Sequence, residues 1–107
     1  MNIGGMEPGQ ALEYMKNNPD LVLIECTEPE WKLNQNFDGS LYIPFTLMDE
    51  RFNQIPASKK IILYSEDGNT SKRGYEWLKN KKMDIEELSY IDGIPKIYEY
   101  NNWKRHH

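Results

Sequence analysis

Two short apolar runs constrain the fold more than any other feature of the sequence. They are Leu21–Ile24 and Ile61–Tyr64, and neither shows alternation of apolar and polar residues. Turn-forming residues precede each run, at Asn17–Asp20 and at Pro56–Lys59. A continuous apolar run of this length is typical of a strand that is covered on both faces in a parallel sheet. The sequence therefore predicts two central, buried strands.

Weaker patterns predict the rest of the sheet and its helices. Further strands are predicted at Leu41–Ile43, which ends before Pro44, and at Glu87–Ile91. Helical segments are predicted at four places: after Pro8, between Phe45 and Ile55, after the loop 65–71, and from Ile94 through Ile97 and Tyr98. Strands that alternate with helices predict a single α/β domain over residues 1–107, a small doubly wound sheet of about five mainly parallel strands with helices on both faces.

Composition limits the classes of partner. Seventeen acidic and thirteen basic residues give a net charge of −4, which supplies no electrostatic footprint for nucleic acid. The basic clusters at Lys79, Lys81 and Lys82 and at 104–105 are attributed to helix ends, where cations favour the helix dipole. The longest apolar run has four residues, too short to span a bilayer. No binding to nucleic acid or membrane is expected.

The start of the sequence and its single cysteine indicate where the chain is located. Cys26 has no second cysteine with which to form an internal disulfide, and the first residues have neither a basic nor an apolar region of a secretory signal. A cytoplasmic location is expected. No cofactor is predicted.

Function is sought in the loops that follow the predicted strands, because ligands of parallel sheets usually bind at the carboxyl ends of the strands. In these loops and around them, four patterns together resemble the rhodanese-like (sulfurtransferase homology) family, from about Met6 to Trp103. They are Leu23–Trp31, Gln35–Pro44, Leu63–Ser71 and Ile91–Ile94, in the order and spacing of the family. The resemblance implies a rhodanese-like fold, with residues 65–71 as the counterpart of the active-site loop.

The departures from the family pattern concern its functional residues. The family's active loop begins with a cysteine that carries a persulfide, and Ser65 stands at that position. Thr70 stands where an arginine is expected, Asn36 where a histidine is usual, and Thr27 where an arginine follows the first central strand. The resemblance therefore implies that no catalytic residue is intact. The degenerate loop consists of Ser65, Glu66, Asp67, Gly68, Asn69, Thr70 and Ser71.

The chemistry of the loop leads to the same expectation. A serine hydroxyl stays protonated unless a general base adjoins it, and no histidine precedes residue 106. Glu66 and Asp67 place two carboxylates where an anionic substrate would enter. In a purely structural interpretation, Thr70 or Ser71 caps the following helix, and Gly68 allows the sharp turn.

Several other residues leave alternatives open. Cys26 is either a small buried hydrophobe or an exposed thiol that accepts a persulfide, and the sequence does not decide between them. Trp31 and Trp103 are candidates for a surface that binds a partner. His106 and His107 have no third ligand nearby, so a tag remnant or a frayed tail is favoured over metal binding.

Three hypotheses follow from the sequence. The first is a noncatalytic rhodanese-like domain that serves as a protein-interaction or regulatory module, with another protein as its partner. The second is a sulfurtransferase or persulfide carrier that works through Cys26, or a hydrolase that uses Ser65. The third is the binding of a cation or small polar ligand by Glu66 and Asp67.

Overall fold

The structure, a computed structural model, describes residues 1–56, 59–81 and 83–107. Its centre is a sheet of five strands: β1 (Asn2–Met6), β2 (Val22–Glu25), β3 (Leu41–Tyr42), β4 (Lys60–Tyr64) and β5 (Glu87–Ile91). The strands lie in the order β1-β5-β4-β2-β3, and every neighbouring pair is parallel. The two predicted central strands are confirmed as β2 and β4, which pair with each other inside the sheet.

Helices cover both faces of this sheet, as the sequence predicts. They are α1 (Pro8–Lys16), α2 (Met48–Arg51), α3 (Asn69–Asn80) and α4 (Ile97–Arg105). Side chains of α1 and α4 pack in one core, whereas those of α2 and α3 pack in the other. The predicted fold class, a doubly wound α/β sheet, is confirmed.

The alternation of side chains along the central strands divides the interior into two cores. In β2, Leu23 faces the core of α1 and α4, and Ile24 faces the core of α2 and α3. In β4, Ile62 faces the core of α1 and α4, and Leu63 faces the core of α2 and α3. This two-sided burial explains why the runs lack polar positions.

Two predicted elements differ from those observed, and one strand has no counterpart among the predictions. β1 was not predicted. The segment 45–55 is broken into two 3₁₀ turns, Phe45–Leu47 and Phe52–Gln54, with the short α2 between them. The last helix begins at Ile97 and not at Ile94, and the side chains of Ile94 and Tyr98 are 74% and 71% exposed. The buried face of α4 is instead formed by Tyr100, with Trp103 partly buried beside it.

A few predictions fall on residues that the structure does not describe. Ala57 and Ser58 of the predicted turn before β4, and Lys82 of the basic cluster after α3, lie outside the described residues. Within the described ranges, no helix is long and apolar enough to cross a membrane.

Candidate functional site

The loop 65–71 follows β4 directly and leads into α3, so the sheet and the helix fix both of its ends. Tyr64 pairs with Glu25 of β2, and Met6 of β1 pairs with Ile91 of β5, so these carboxyl ends lie along one edge of the sheet. Ser65 is the first residue beyond that edge and is completely buried. The sequence therefore placed the loop correctly.

The hydroxyl group of Ser65 is surrounded by hydrogen-bonding groups of its own loop. Its oxygen accepts the backbone N–H groups of Gly68 at 3.3 Å and of Ser71 at 3.1 Å. The Ser65 hydroxyl also donates to Ser71 Oγ at 3.2 Å. Among the described residues, no carboxylate or imidazole hydrogen-bonds to this oxygen. The hydroxyl has a cradle of donors but no general base, which a serine nucleophile requires.

Ser71 connects this cradle to the neighbouring strand. Its hydroxyl lies within hydrogen-bond distance of the carbonyl oxygens of Gly68, at 3.0 Å, and of Ile91 at the end of β5, at 3.2 Å. Ser71 is completely buried, like Ser65. The two hydroxyl groups thus tie the loop to itself and to β5.

Gly68 forms the sharp turn that the sequence predicts. Its φ is +94°, in the left-handed region that favours glycine. A Cβ atom at this position would lie 2.6 Å from the backbone nitrogen of Gly93. Both the turn and the close packing of the loop against the segment after β5 therefore require glycine.

The predicted capping of α3 by Thr70 or Ser71 is wrong. The helix begins at Asn69, with Gly68 as its N-terminal cap residue, and Thr70 and Ser71 lie inside its first turn. Orphan N–H groups at this end are satisfied by side chains that precede the helix. Asp67 accepts the backbone N–H of Asn69 at 3.0 Å, and Ser65 accepts that of Ser71.

Glu66 carries a carboxylate that is poorly solvated. Its Oε2 atom is buried and has no hydrogen-bond partner in the part of the chain that the structure describes. Burial raises the pKa of this carboxyl group above its ordinary value, and the negative charge of Asp67 raises it further. Thr27, two residues beyond β2, is completely buried, and its Oγ1 atom has no partner among the described residues either. Neither side chain offers the positive charge that an anionic substrate would need.

Cys26 belongs to the hydrophobic core between the sheet and the helices α2 and α3. The side chain is completely buried, and its thiol donates a weak hydrogen bond to the carbonyl oxygen of Tyr64 at 3.6 Å. Burial, followed in size by the charge of Glu25, raises the pKa of the thiol. A Cβ atom on Gly74 of α3 would lie 3.5 Å from Sγ. Of the two interpretations of Cys26, the structure supports the buried hydrophobe.

The segment 35–44 is held against the sheet by Tyr64. The phenol of Tyr64 accepts the N–H of Phe37 at 3.1 Å and lies 2.8 Å from Ser40 Oγ. Burial raises the pKa of Tyr64 to about 12. Asn36, in the position usual for a histidine, donates to the carbonyl oxygen of Phe37 at 3.1 Å and to Ser40 Oγ at 3.2 Å. This part of the site therefore consists of structural hydrogen bonds.

One buried charged group at the same edge was missed in the sequence. Glu25 is 1% exposed, and its carboxylate accepts hydrogen bonds from Lys32 Nζ at 2.8 Å and from the N–H of Leu33 at 3.3 Å. The family pattern aligns Glu25 with an acidic residue at the end of the first central strand, which could have indicated its importance. Glu25 anchors the chain that leaves β2.

The remaining candidates belong to other elements, the 3₁₀ turn after β2 and the C-terminal helix α4 with the residues that follow it. Trp31 is 66% exposed in the 3₁₀ turn after β2, whereas Trp103 packs partly against the core. His106 and His107 hydrogen-bond to carbonyl oxygens of α4 through Nδ1, each at 2.7 Å. Within the described residues, no group of three or more His, Cys, Asp or Glu side chains is arranged to hold a metal ion.

Solved structures resemble this chain in fold. A rhodanese-related protein from Thermoplasma volcanium matches with a TM-score of 0.68 and 18% identity, over 92% of this chain and 91% of that one. The reduced CoADR-RHD protein of Bacillus anthracis matches with a TM-score of 0.72 and 20% identity, over 96% of this chain and 18% of that one. A Rhodopseudomonas palustris protein, described as a possible tyrosine phosphatase, matches with a TM-score of 0.68 and 16% identity, over 97% of this chain and 81% of that one.

No protein-family model and no curated protein sequence matches the chain. At such low identities the solved structures establish the fold and leave the activity open. The resemblance drawn from the sequence is confirmed at that level, and the chain has a rhodanese-like fold.

Proposed function

We propose that this rhodanese-like chain has no sulfurtransferase activity and acts as a protein-interaction or regulatory module. The observation that carries the proposal is the burial and hydrogen bonding of the Ser65 side chain. A hydroxyl replaces the sulfur nucleophile, it is completely buried, and it accepts the loop N–H groups that would otherwise stabilise an anion.

The charges around the loop support the same conclusion. Glu66 and Asp67 are the two charged residues of the loop, and Thr70 provides no cation where the family has an arginine. Thiosulfate and phosphate esters are anions, so the loop repels the substrates that this fold handles elsewhere. The loss of anion binding thus accompanies the loss of the nucleophile.

The alternative, sulfur transfer through Cys26, has less support. A persulfide forms on a thiolate that is accessible to the sulfur donor. Cys26 is completely buried, and its pKa is raised by burial, so both conditions are unmet in the folded protein.

The direct test is the formation of thiocyanate from thiosulfate and cyanide, with the Cys26→Ala variant as control. We expect no thiocyanate above the rate of a protein-free blank. Formation that is lost in Cys26→Ala would overturn the proposal in favour of a sulfurtransferase. Hydrolysis of p-nitrophenyl phosphate or acetate that is lost in Ser65→Ala would overturn it in favour of a hydrolase.

The state of Cys26 is tested separately by its reaction with a chromogenic disulfide reagent at pH 8. We expect the native protein to react far more slowly than the same protein in denaturant, because the thiol is both buried and protonated. Equal rates in the two states would show an accessible thiol and would remove the argument against Cys26.

A further inference from the structure

An open groove of about 550 Å³ runs along the surface between α3 and the segment 45–49, and its lining on α3 begins at Lys72, directly after the loop 65–71. We call it the α3 groove. Its floor is formed by the half-buried rings of Phe45 and Trp77, and charged side chains stand along its margins. Its lining residues on α3 and at the C-terminal cap of this helix extend from position 72 to position 81. At the rise of an α-helix this span is about 14 Å long, enough for a short peptide segment.

Cations stand above the aromatic floor at both ends of the groove. The guanidinium of Arg73 lies 4.7 Å from the ring centroid of Phe45. At the other end, Lys81 Nζ lies 5.0 Å from the ring centroid of Trp77 and 3.8 Å from a carboxylate oxygen of Asp49. The aromatic rings therefore form a floor between two cations, and among the described residues only Lys81 is paired with a carboxylate.

The end of the groove at Phe45 carries uncompensated positive charge. Lys72 and Arg73 are exposed, and neither has a carboxylate partner in the part of the chain that the structure describes. They lie near the N-terminal end of α3, where the helix dipole disfavours cations. The two carboxylates that line the groove, Asp49 and Glu76, pair with Lys81 and Lys79. The lining therefore has a small excess of positive charge, on a protein whose net charge is −4.

We propose that the α3 groove binds an acidic, apolar segment of another protein. An aromatic or aliphatic side chain of that segment packs on Phe45 and Trp77, and adjacent carboxylates pair with Lys72 and Arg73. This arrangement supplies carboxylate partners to two cations that have none among the described residues, and it covers the exposed parts of two aromatic rings. The inference deepens the proposed function, on which it rests, by naming a surface and the chemistry of the partner.

The test uses a fluorescein-labelled peptide in which phenylalanine and leucine are interspersed with glutamate, followed by fluorescence anisotropy. The comparison peptide carries lysine in place of each glutamate. The groove variant is Lys72→Glu with Arg73→Glu. The matched control is Lys59→Glu with Lys104→Glu, which changes the net charge equally at exposed sites outside the groove.

We expect the native protein to bind the acidic peptide and not the lysine peptide. The groove variant should weaken binding at least tenfold, and the control variant less than twofold. Circular dichroism confirms that each variant is folded. No binding of the acidic peptide at millimolar concentration, equal binding of both peptides, or equal losses in the two variants would overturn the proposal.

Two further measurements separate other occupants. Trp31→Ala tests the exposed tryptophan of the 3₁₀ turn after β2, and loss of binding in this variant alone would move the interface there and overturn the groove. Sedimentation velocity tests a second copy, and a dimer that the groove variant abolishes would identify this chain itself as the occupant. Neither result bears on thiocyanate formation, so failure of the groove is distinguishable from failure of the proposed function.

Discussion

At the scale of single residues, the hydroxyl of Ser65 stabilises the loop by occupying a site built of backbone donors. Two buried N–H groups, those of Gly68 and Ser71, depend on this one acceptor. If this hydroxyl is removed, the two buried donors are left unpaired, and that costs free energy. Removal of a hydroxyl that accepts no buried N–H group leaves no donor unpaired. The difference gives Ser65 a measurable structural role.

We expect Ser65→Ala to lower the free energy of unfolding by about 2 kcal/mol, because two buried donors lose their acceptor. Urea denaturation measures the change. Ser89→Ala is the matched control, since Ser89 is equally buried and makes one long hydrogen bond, 3.4 Å, to the carbonyl oxygen of Ile61. A loss in Ser65→Ala no larger than that in Ser89→Ala would contradict the role assigned to the cradle.

Glu66 makes stability depend on pH. Its pKa is raised in the folded protein, mainly by burial and then by Asp67, so the folded state binds the proton more tightly than the unfolded state does. The contribution of Glu66 to stability is therefore largest below the ordinary carboxyl value of 4.5 and is lost as the pH rises through the raised pKa. At neutral pH the buried charge is a cost.

We expect Glu66→Gln to raise the Tm at pH 7.5 by roughly 2 °C. The substitution removes a partly buried charge, and solvent screening limits the destabilisation by that charge to roughly a fraction of 1 kcal/mol. The increase should vanish near pH 4, where the native carboxyl is protonated too. Differential scanning calorimetry at the two pH values measures both changes. Glu30→Gln, at an exposed site, is the control; a Tm increase there of the same size would point to net charge as the cause.

At the scale of elements, the turn at Gly68 fixes the distance between the loop and the segment after β5. The same left-handed conformation occurs at Gly39, where φ is +83°. There a Cβ atom would meet nothing within 4 Å, whereas at Gly68 it would lie 2.6 Å from a backbone nitrogen. A substitution at Gly39 therefore tests backbone strain alone, whereas a substitution at Gly68 tests backbone strain together with a steric clash.

We expect Gly39→Ala to lower the free energy of unfolding by about 1 kcal/mol, the cost of the backbone conformation alone. Gly68→Ala should cost about 3 kcal/mol or more, because the backbone of the segment after β5 must also move. Chemical denaturation of both variants gives the comparison. Equal losses would mean that the loop and this segment are not in contact in solution.

The sequence predicted correctly the strands that are buried on both faces and the longest helix. The runs in β2 and β4 and the buried face of α3, with Gly74, Tyr75 and Leu78, were predictable because these residues contact the core on the expected side. β1 was not, since Gly4 and Gly5 disfavour a strand. Gly5 is nevertheless required there, because a Cβ atom would lie 2.8 Å from the ring of Tyr90. That contact is tertiary and leaves no local signal.

The loop itself was predictable in position and in its missing thiol, but not in its hydrogen bonds. The family pattern identified Ser65 as the counterpart of a cysteine, and chemistry alone excluded the usual covalent step. The end of β5 at Ile91 was predicted correctly. The hydrogen bonds of Ser65 and Ser71 to backbone groups depend instead on the path of the loop in three dimensions, which the sequence does not specify. The helix start at Asn69, and hence the error about Thr70, has the same origin.

At the scale of the whole molecule, charge is distributed in opposite ways over two neighbouring regions of α3. The loop that precedes the helix presents Glu66 and Asp67, whereas the groove along it presents Lys72 and Arg73. An acidic partner is therefore repelled from the degenerate site and attracted to the α3 groove. The proposed cationic surface therefore lies beside the loop 65–71 and not within it.

The fold also retains the cradle that a nucleophile at position 65 would use, and this can be tested by restoring the missing groups. We expect the variant with Ser65→Cys, Thr70→Arg, Glu66→Gln and Asp67→Asn to form thiocyanate from thiosulfate and cyanide at a weak rate, at least tenfold above the blank. The reason is geometric: the N–H groups of Gly68 and Ser71 already lie 3.3 and 3.1 Å from the atom that sulfur would replace. They would stabilise a thiolate there.

The same variant with Ser65 retained is the control, and it should give only the blank rate. If the complete variant is folded by circular dichroism and still inactive, the loop has lost more than its reactive groups. The complete burial of position 65 would then be the dominant obstacle, because the sulfur donor must reach that atom through the loop. Activity in the complete variant would instead show that four substitutions separate this chain from sulfur transfer, and that the proposed inactivity arises from side chains and not from the backbone.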